Sequence, residues 1–459
     1  RGGSRAGRRV AAAVAAAVVT LQRRQLASVA RNATQQPMQV SMTRPIATPR
    51  AAWAWSWWDS LGAPRWVCSP MVDQSERAFR LLTRRHGVTL AYTPMIHAEP
   101  FVADAAYRRA YFDAWEAARD RGLADADRPL IAQIGGDDPR IMLQAARLLE
   151  PHVDAVDVNM GCPTEDARKG GHPSHSPNCR RYGAYLLPNL PLVQRLVGTL
   201  AKGLRRVPVT VKIRLLDSEA ATLETACAIE EAGAVALCVH GRTAKQRPKY
   251  ADRSPAGAAG QAPSWEGIAA VCRTVGIPVI ANGGIETRAD ALRCLEETGA
   301  AAVMSAEALL EDPDLFYEGA PVWDSEVKRM LGLAREFLEL AEAHPSALEY
   351  PPTKSHLFKI LHRLVGADQA EARRRDAAGL PLNLREELKL VLMRCKVQDF
   401  AAVSAALDEI EARYSVTPQP PLGPSWYRRW RSLEGTAASS SASGSRPSAS
   451  PLPGRKQGG

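Results

Sequence analysis

The sequence predicts an α/β fold, a TIM (β/α)8 barrel followed by a C-terminal helical domain. Within residues 66–316, short β-rich apolar runs alternate with segments of helical period, the pattern of a parallel sheet built from βα units. Eight such units over about 250 residues match a TIM barrel, whereas a doubly wound sheet more often has five or six strands. The eight runs are Val67 to Met71, Thr89 to Thr93, Leu130 to Ile134, Ala155 to Asn159, Val209 to Ile213, Ala236 to Val239, Val279 to Ala281 and Ala302 to Met304.

The C-terminal helical domain is indicated by long helical periods that follow Asp312 without intervening strands. These periods cover Ser325 to Ala343, Thr353 to Leu364 and Asn383 to Tyr414. The end of the chain is rich in Ser, Gly, Pro and Ala, a composition typical of disorder. We therefore predict a leader over residues 1–58, a barrel over residues 59–318, a helical domain over residues 319–420 and a disordered tail over residues 421–459.

The net charge of +10 lies outside the predicted barrel. Residues 1–58 carry nine Arg and no acid, and residues 424–459 carry +5, so residues 59–423 carry −4. Any nucleic acid must therefore be held by local basic patches, because the field of the whole fold does not attract it. The leader is typical of a transit peptide, which predicts a plastid or mitochondrial protein. If it is instead a disordered extension, the protein is cytoplasmic.

Cysteine spacing and hydropathy argue against several classes of protein. The eight cysteines include no Cys-x-x-Cys pair, which argues against a disulfide scaffold and a zinc ribbon. His172, His175 and Cys179 are close in sequence, yet they lie in a Gly/Pro/Ser-rich stretch where we expect no metal site. No run approaches the roughly 18 apolar residues of a membrane-spanning helix. We expect a monomer that has neither a metal nor a membrane partner.

Polar residues occur at nearly every predicted strand end. In a TIM barrel the carboxyl ends of the strands surround the active site, and the opposite ends serve stability. Any one of these residues could be a hydrogen-bonded structural polar group, but eight together do not fit that interpretation. The residues are Ser69, Thr93, Gln133, Asn159, Lys212, His240, Asn282 and Ser305.

The last two strand ends are where TIM barrels commonly bind a phosphate. Asn282, Gly283 and Gly284 supply unhindered backbone N–H groups of the kind that a phosphate site needs. Alone, this tripeptide would be an ordinary turn. With Lys212 and His240 at neighbouring strand ends, it predicts a phosphorylated cofactor. A lysine at this position would stabilise the negative charge that a flavin gains on reduction.

Cys162 follows the fourth strand in a tight loop with Gly161 and Pro163. Most cysteines are buried small hydrophobes, but this loop directs the thiol toward the predicted site. Thiols are mainly protonated at neutral pH, so Cys162 could donate a proton to a carbon centre. A thiolate would instead be a nucleophile, and the residues alone leave both roles open.

These motifs together resemble the tRNA-dihydrouridine synthases. Their order and spacing match over residues 64–316, and the later segment Ser355 to Lys359 is similar to the family's tRNA-recognition part. The Ser-Ala-Glu after the last strand resembles the eukaryotic branch that acts on D-loop uridines. The motifs are Pro70 to Ser75, Asp157 to Pro163, Val211 to Arg214, Val239 to Thr243, Ala281 to Ile285 and Met304 to Glu307.

The resemblance implies an enzyme with FMN over the barrel mouth, reduced by NADPH, that transfers hydride to C6 of a flipped-out uridine in tRNA. Cys162 would then protonate C5. The implied cofactor contacts are Pro70, Met71 and Val72 packing on the flavin, Gln133 and Lys212 bonding its ring, His240 beside it, and Asn282, Gly283, Gly284, Ser305 and Ala306 at the phosphate. Asn159, Arg214 and Arg242 would contact the uridine or its backbone, although an arginine there can equally form a rim salt bridge.

Two insertions depart from the family pattern. Residues 171–180 separate Gly170 from Arg181, whereas family members run almost directly between these points. This loop should cover Cys162, so the insertion could misplace it. The stretch from Arg247 to Pro263 is also longer than expected, and we expect it to bulge into solvent.

Two alternative functions stay open at this stage. An FMN-dependent reductase of a free pyrimidine shares the Asn-x-x-Cys-Pro loop but has no need of a basic helical domain. Lys354, Lys359, Arg363 and the run Arg373 to Arg375 favour RNA, although such a run is usually a solvated face. The other alternative is a tRNA-binding relative in which the insertion has disabled catalysis.

Overall fold

The structure, a computed structural model, describes residues 48–120, 124–170, 180–246, 262–346, 352–366, 384–396, 399–416, 422 and 425. Its centre is a parallel sheet of nine short strands whose residues are almost all buried. Continuous apolar runs are typical of strands covered on both faces. The strands are β1 Trp66–Cys68, β2 Leu90–Tyr92, β3 Ile96–His97, β4 Leu130–Gly135, β5 Ala155–Met160, β6 Val209–Arg214, β7 Ala236–His240, β8 Val279–Asn282 and β9 Ala302–Ser305.

The sheet closes into an eight-stranded barrel. The strands are ordered β2-β1-β9-β8-β7-β6-β5-β4, and a further pairing of β2 with β4 closes the ring. The two-residue strand β3 pairs with the end of β4 outside this ring. The predicted TIM barrel is therefore confirmed, and each predicted run overlaps one barrel strand.

Helices connect the strands and continue beyond the barrel. Several begin at a side-chain cap, as in Asp138 before the helix Pro139–Leu149 and Thr287 before the helix Arg288–Thr298. These side chains supply acceptors for the first backbone N–H groups of the helix. The helices are α1 Pro49–Ser60, α2 Arg77–Arg85, α3 Ala98–Ala103, α4 Ala105–Asp120, α5 Pro139–Leu149, α6 Glu165–Lys169, α7 Leu190–Gly203, α8 Glu219–Ala232, α9 Trp265–Thr274, α10 Arg288–Thr298, α11 Glu307–Glu311, α12 Glu326–Ala343, α13 Thr353–Ile360, α14 His362–Val365, α15 Leu384–Arg394 and α16 Phe400–Val416. Among the described residues, none of these helices has the length and hydropathy to cross a bilayer.

Helix α1 covers the floor of the barrel, at the amino ends of the strands. Trp55 and Trp58 are buried against interior residues such as Leu90, Ala155 and Ala236. Trp55 also donates from its indole Nε1 to the carbonyl of Gly276, at 2.9 Å. Most of this helix falls within the predicted leader, and its buried residues Ala54, Trp55 and Trp58 belong to the barrel core.

The C-terminal helices pack against barrel helix α2. His356 of α13 is fully buried, stacked on Phe79 of α2 with ring centroids 4.6 Å apart and flanked by Phe337 of α12. Its Nε2 lies 3.0 Å from Oε2 of Glu76, immediately before α2. This packing fixes α13 beside the loop that follows β1. The predicted domain boundary at residue 318 stays a prediction.

A buried ion cluster gives a test of pH-dependent stability. Asp127 lies among Arg77, Arg80 and Arg84, with Nε of Arg80 donating to Oδ1 at 3.1 Å. Burial alone would raise the pKa of Asp127, but the three guanidinium groups hold it below its ordinary value. The ionised form therefore stabilises the fold above the unfolded-state pKa of about 3.9, and this contribution is lost as pH falls below that value.

We expect Asp127→Asn to destabilise the protein at pH 7 by about 3–5 kcal/mol, because it leaves buried guanidinium groups without their counter-charge. Chemical denaturation at pH 7 and below pH 4 measures the effect. The difference between variant and wild type should shrink in acid. An equal difference at both pH values would contradict the ionic role of Asp127.

Candidate active site

The carboxyl ends of the strands, called here the barrel mouth, bring the predicted polar residues together. Register pairs Asn159 with Lys212, and His240 with Asn282, on adjacent strands. The Nζ of Lys212 donates to Oδ1 of Asn282 at 2.9 Å, across one intervening strand. Gln133 and Asn159 are hydrogen-bonded at 3.0 Å. The mouth is therefore one continuous polar surface.

The loop carrying Cys162 is fixed by two side chains from strand ends. Oδ1 of Asn159 accepts the backbone N–H groups of Gly161 and Cys162, each at 3.0 Å. Nε of Arg214 donates to the carbonyl of Gly161 at 2.7 Å. The Sγ of Cys162 is partly exposed and lies 3.2 Å from Oγ1 of Thr164. The thiol thus lies on a rigid turn at the mouth, where a substrate can reach it.

The segment after the insertion packs back onto this loop. The N–H of Ala184 donates to the carbonyl of Cys162 at 2.9 Å, and the hydroxyl of Tyr185 donates to that of Pro163 at 2.9 Å. Gly183 has φ of +78°, and a Cβ there would lie 2.3 Å from the carbonyl oxygen of Cys162, so the close approach requires glycine.

The two ends of the insertion are also tied together, because the N–H of Tyr182 donates to the carbonyl of Ala167 at 3.1 Å. Residues 171–179 lie outside the described residues. The flanking segments nevertheless hold the Cys162 loop, and the possible effect of the insertion on the segment that covers Cys162 stays a prediction. The second departure, Arg247 to Pro263, lies mostly outside them too.

The electrostatics of the mouth combine one buried lysine with a neutral imidazole. Burial lowers the pKa of Lys212, with Arg214 adding to the effect. Burial also lowers the pKa of His240 well below its usual value, and the charges of Arg214, Lys212 and Arg242 reinforce the shift. His240 is therefore uncharged at neutral pH. It can serve as a hydrogen-bonding surface rather than as a second cation.

The ends of β8 and β9 carry groups that suit a phosphate. Gly283 and Gly284 have φ of +106° and +76°, and a Cβ on Gly283 would lie 2.7 Å from Cδ2 of His240. The Oγ of Ser305 is buried and has no hydrogen-bond partner among the described residues. Ala306 follows directly. A phosphate oxygen would satisfy the orphaned hydroxyl, since buried polar groups are normally paired.

The side-chain amide of Asn282 has partners that its motif did not predict. Its Oδ1 accepts from Lys212, and its Nδ2 donates to the carbonyl of Met304 at 3.0 Å. The side chain therefore orients Lys212. Contact between Asn282 and a phosphate stays a prediction.

The loop after β1 forms an apolar edge of the mouth. Pro70 and Met71 are partly buried, and Val72 is 43% exposed. The N–H of Met71 donates to Oγ of Ser75 at 3.0 Å, which closes the loop before α2. Packing of this edge against a flat ring stays a prediction.

Helix α13 contacts the same loop. The Nζ of Lys359 donates to Oε1 of Gln74 and to Oγ of Ser355, the latter at 2.6 Å. The sequence interpretation missed Gln74 and Glu76, whose partners lie about 280 residues away. Gln74 and Glu76 follow Met71 by three and five residues. This closeness to a predicted cofactor-binding residue was the sequence signal that could have identified them.

The predicted RNA-binding cations have partners within the protein. Lys354 donates to the carbonyl of Met393 at 2.8 Å, and Arg363 lies 3.5 Å from Glu326. Arg373 to Arg375 lie outside the described residues. Binding of RNA by these groups stays a prediction.

The predicted substrate residues also have protein contacts. Asn159 bonds Gln133, Met95 and the Cys162 loop, with Nδ2 3.0 Å from Sδ of Met95. Arg214 bonds the carbonyls of Gly161 and Thr243, and Arg242 lies 3.3 Å from His240.

No group of three His, Cys, Asp or Glu side chains suited to a metal occurs in the described part of the chain.

Comparison with known proteins identifies the family. A family model described as "Dihydrouridine synthase (Dus)" matches residues 67–378, which include the barrel and the first C-terminal helices. The chain belongs to the dihydrouridine synthase family.

Three curated relatives in this family, all eukaryotic, show where the similarity lies. A tRNA-dihydrouridine(16/17) synthase-like protein of Rattus norvegicus is 41% identical over 354 residues, covering 76% of this chain and 68% of the relative. The corresponding Saccharomyces cerevisiae synthase is 38% identical and covers 66% of each chain. A 20a/20b synthase-like protein of Mus musculus is 33% identical, covering 56% of this chain and 72% of the relative. The predicted kinship with eukaryotic dihydrouridine synthases is confirmed, and this chain spans about two thirds of the length of the 16/17 relatives.

Proposed function

We propose that this protein is a flavin-dependent tRNA-dihydrouridine synthase that uses NADPH to reduce the C5–C6 double bond of D-loop uridines. The observation that carries the proposal is the placement of the Cys162 thiol on a fixed turn at the barrel mouth, with Lys212 on the neighbouring strand end. Family membership supports it. The names of the curated relatives and the geometry of the Cys162 loop favour an oxidoreductase over a disabled tRNA-binding relative.

FMN is the proposed cofactor because the mouth has a place for each of its parts. Gly283, Gly284 and the orphaned hydroxyl of Ser305 fit the phosphate. Lys212 would place a positive charge beside the ring, and Met71 an apolar surface. When bound, FMN supplies a carrier that accepts hydride from NADPH and delivers it to a substrate.

The protein's own residues supply the proton and its environment. Reduction adds hydride to C6 and a proton to C5 of the uridine, while NADPH becomes NADP⁺. The proton leaves Sγ of Cys162, and the resulting thiolate can accept a hydrogen bond from Oγ1 of Thr164, 3.2 Å away. Solvent then reprotonates the thiolate, because Cys162 is partly exposed. The loop bonds from Asn159 and Arg214 hold the sulfur during this step.

Positions 16 and 17 are the proposed target uridines. The rat and yeast relatives named for these positions are 41% and 38% identical to this chain, against 33% for the mouse relative named for 20a and 20b. The partner is therefore tRNA, and exposed cations around the mouth can meet its backbone. Arg181, 64% exposed, and Lys245, 79% exposed, are examples.

The cellular location follows from the leader. We propose a plastid or mitochondrion if the leader acts as a transit peptide, and the cytoplasm otherwise. Because α1 completes the barrel floor, any cleavage must precede Thr48, the N-cap of that helix. Fusing residues 1–47 to a fluorescent protein tests the import function, and a diffuse cytoplasmic signal would contradict it.

Purified protein is expected to be yellow, to be bleached by NADPH, and to regain colour much faster when unmodified tRNA is added. Stopped-flow absorbance measures both half-reactions, and mass spectrometry maps dihydrouridine in the product. Free uridine serves as the comparison, because a free-pyrimidine reductase would be reoxidised by it equally well. A colourless protein would contradict the proposal, and so would a rate of flavin reoxidation that is the same with and without tRNA.

A further inference from the structure

A series of hydrogen bonds runs from a buried carboxylate to the Cys162 loop. Nε2 of Gln133 donates to Oδ2 of Asp157 at 2.9 Å, and Nδ2 of Asn159 donates to Oε1 of Gln133 at 3.0 Å. Oδ1 of Asn159 then accepts the N–H groups of Gly161 and Cys162. The side chains of Asp157, Gln133 and Asn159 are all buried. Every bond in the series has the same direction, with the donor nearer to Cys162.

The direction depends on Asp157. An amide side chain has an acceptor on one arm and donors on the other, so a reversed Gln133 would place Nε2 against Nδ2 of Asn159. A reversed Asn159 would place its donors against the N–H groups of the Cys162 loop. An ionised carboxylate accepts only, and it therefore excludes the reversed orientation of Gln133.

The carboxylate itself is held in place from a second side. Oγ1 of Thr210 donates to the other oxygen of Asp157, Oδ1, at 2.8 Å. Burial raises the pKa of Asp157 to about 6, against the opposing effect of the Gln133 and Thr210 hydrogen bonds. The group is thus mainly ionised at pH 7.5 and accepts at both oxygens. Neither the sequence motifs nor the reaction gave Asp157 a role.

We propose that Asp157 is a positioning residue, whose acceptor oxygen fixes the amides of Gln133 and Asn159 and so holds the Cys162 loop in its reactive orientation. The inference rests on the proposed function, because the reactive orientation is defined by the uridine that Cys162 protonates. Asp157 acts through Gln133 and Asn159 and does not itself touch the substrate.

Two substitutions separate the acceptor from the charge. Asp157→Leu has a similar shape but no acceptor, so Gln133 loses its fixed orientation. Asp157→Asn keeps an oxygen for Nε2 of Gln133 and can turn its own N–H toward Oγ1 of Thr210. The proposal therefore expects the Leu variant to be impaired and the Asn variant to stay close to wild type.

The first readout does not depend on activity. In the flavin-loaded protein, amide hydrogen exchange at Gly161 and Cys162 should be about tenfold faster in Asp157→Leu, because their acceptor on Asn159 is no longer fixed. Exchange in strands β7 and β8 should be unchanged. Thr210→Val is the matched control, since it removes the bond to Oδ1 but leaves Oδ2 to accept from Gln133, and its exchange should match wild type.

The second readout separates kcat from KM for tRNA. In Asp157→Leu, kcat for tRNA should fall by about 10²-fold through misplacement of the proton donor, with KM for tRNA little changed. Asp157→Asn should restore kcat. Wild-type exchange in Asp157→Leu would overturn the proposal, as would an Asn variant as impaired as the Leu variant.

A folding failure leaves the proposal testable. If Asp157→Leu does not fold, Gln133→Leu tests the same series, because it removes the oxygen that accepts from Nδ2 of Asn159. It should also accelerate exchange at Cys162, and unchanged exchange would overturn the proposal. If the wild-type protein does not reduce tRNA, the proposed function fails, while the exchange comparison still decides whether Asp157 orients the loop.

Discussion

Replacing Cys162 with alanine is expected to lower tRNA turnover by about 10²–10⁴-fold, the range that general acid catalysis contributes, while the protein keeps its yellow colour. The backbone N–H and carbonyl of Cys162 make the bonds that hold the loop, to Asn159 and from Ala184. An alanine preserves these bonds and removes only Sγ. The loss should therefore be chemical rather than structural.

Stopped-flow measurements with the alanine variant should show normal flavin reduction by NADPH and slow reoxidation by tRNA. Cys227→Ala is the matched control, because this partly exposed thiol lies on α8 near Glu230 and Glu231 and away from the mouth. The control should turn over normally. Full turnover in Cys162→Ala would assign the proton to another donor.

The same experiment separates the two thiol roles that the residues left open. A proton donor forms no bond to the uridine, so mass spectrometry of the wild-type reaction with unmodified tRNA should detect no protein–RNA adduct. A nucleophile would give an adduct at Cys162 during turnover. Detection of such an adduct would replace the proton-donor assignment.

The barrel was predictable because its signal is local. Each strand is a short apolar run. The polar residues at the strand ends, such as Gln133, Asn159, Lys212 and His240, converge because parallel strands end at one edge. Local pattern also placed Cys162 in a Gly-Cys-Pro turn. These features need no knowledge of which strands are neighbours.

Partners across the ring were not predictable from the sequence. Asn282 was assigned to a phosphate from its Asn-Gly-Gly turn, yet its amide bonds Lys212, 70 positions earlier. Asn159 and Arg214 were assigned to the uridine through the family resemblance, and that contact stays a prediction; their bonds to the backbone of the Cys162 loop were not foreseen. Residue type at a strand end does not reveal whether a side chain faces a ligand or its own main chain.

Helix α1 was missed for a compositional reason. Its residues continue the acid-free leader as far as Trp58, so the charge pattern placed the barrel boundary about ten residues too late to include it. The overlooked signal was Thr48 followed by Pro49, a helix cap with proline at the first position, and the four tryptophans that follow. Two of those tryptophans, Trp55 and Trp58, fill the barrel floor.

Lys212→Met is expected to slow flavin reduction by NADPH by about 10²–10³-fold, the cost of removing one preorganised group that stabilises developing negative charge. The neighbouring groups do not replace its charge. Burial and the nearby cations keep His240 neutral, and Arg214 is bonded to the carbonyls of Gly161 and Thr243. Methionine retains the shape of the aliphatic stem, so the strand should pack as before.

The flavin potential gives an independent measure of the same charge. Removing a cation beside the ring destabilises the reduced, more negative form, so the midpoint potential should become more negative in Lys212→Met. Lys202→Met, on the exposed face of α7, changes the net charge equally and should leave both the potential and the rate unchanged. An unaltered potential in Lys212→Met would show that the charge acting on the ring comes from elsewhere. The Lys202→Met control accounts for any effect of the change in net charge alone. A shift in both variants would instead indicate a long-range field, which added salt would screen.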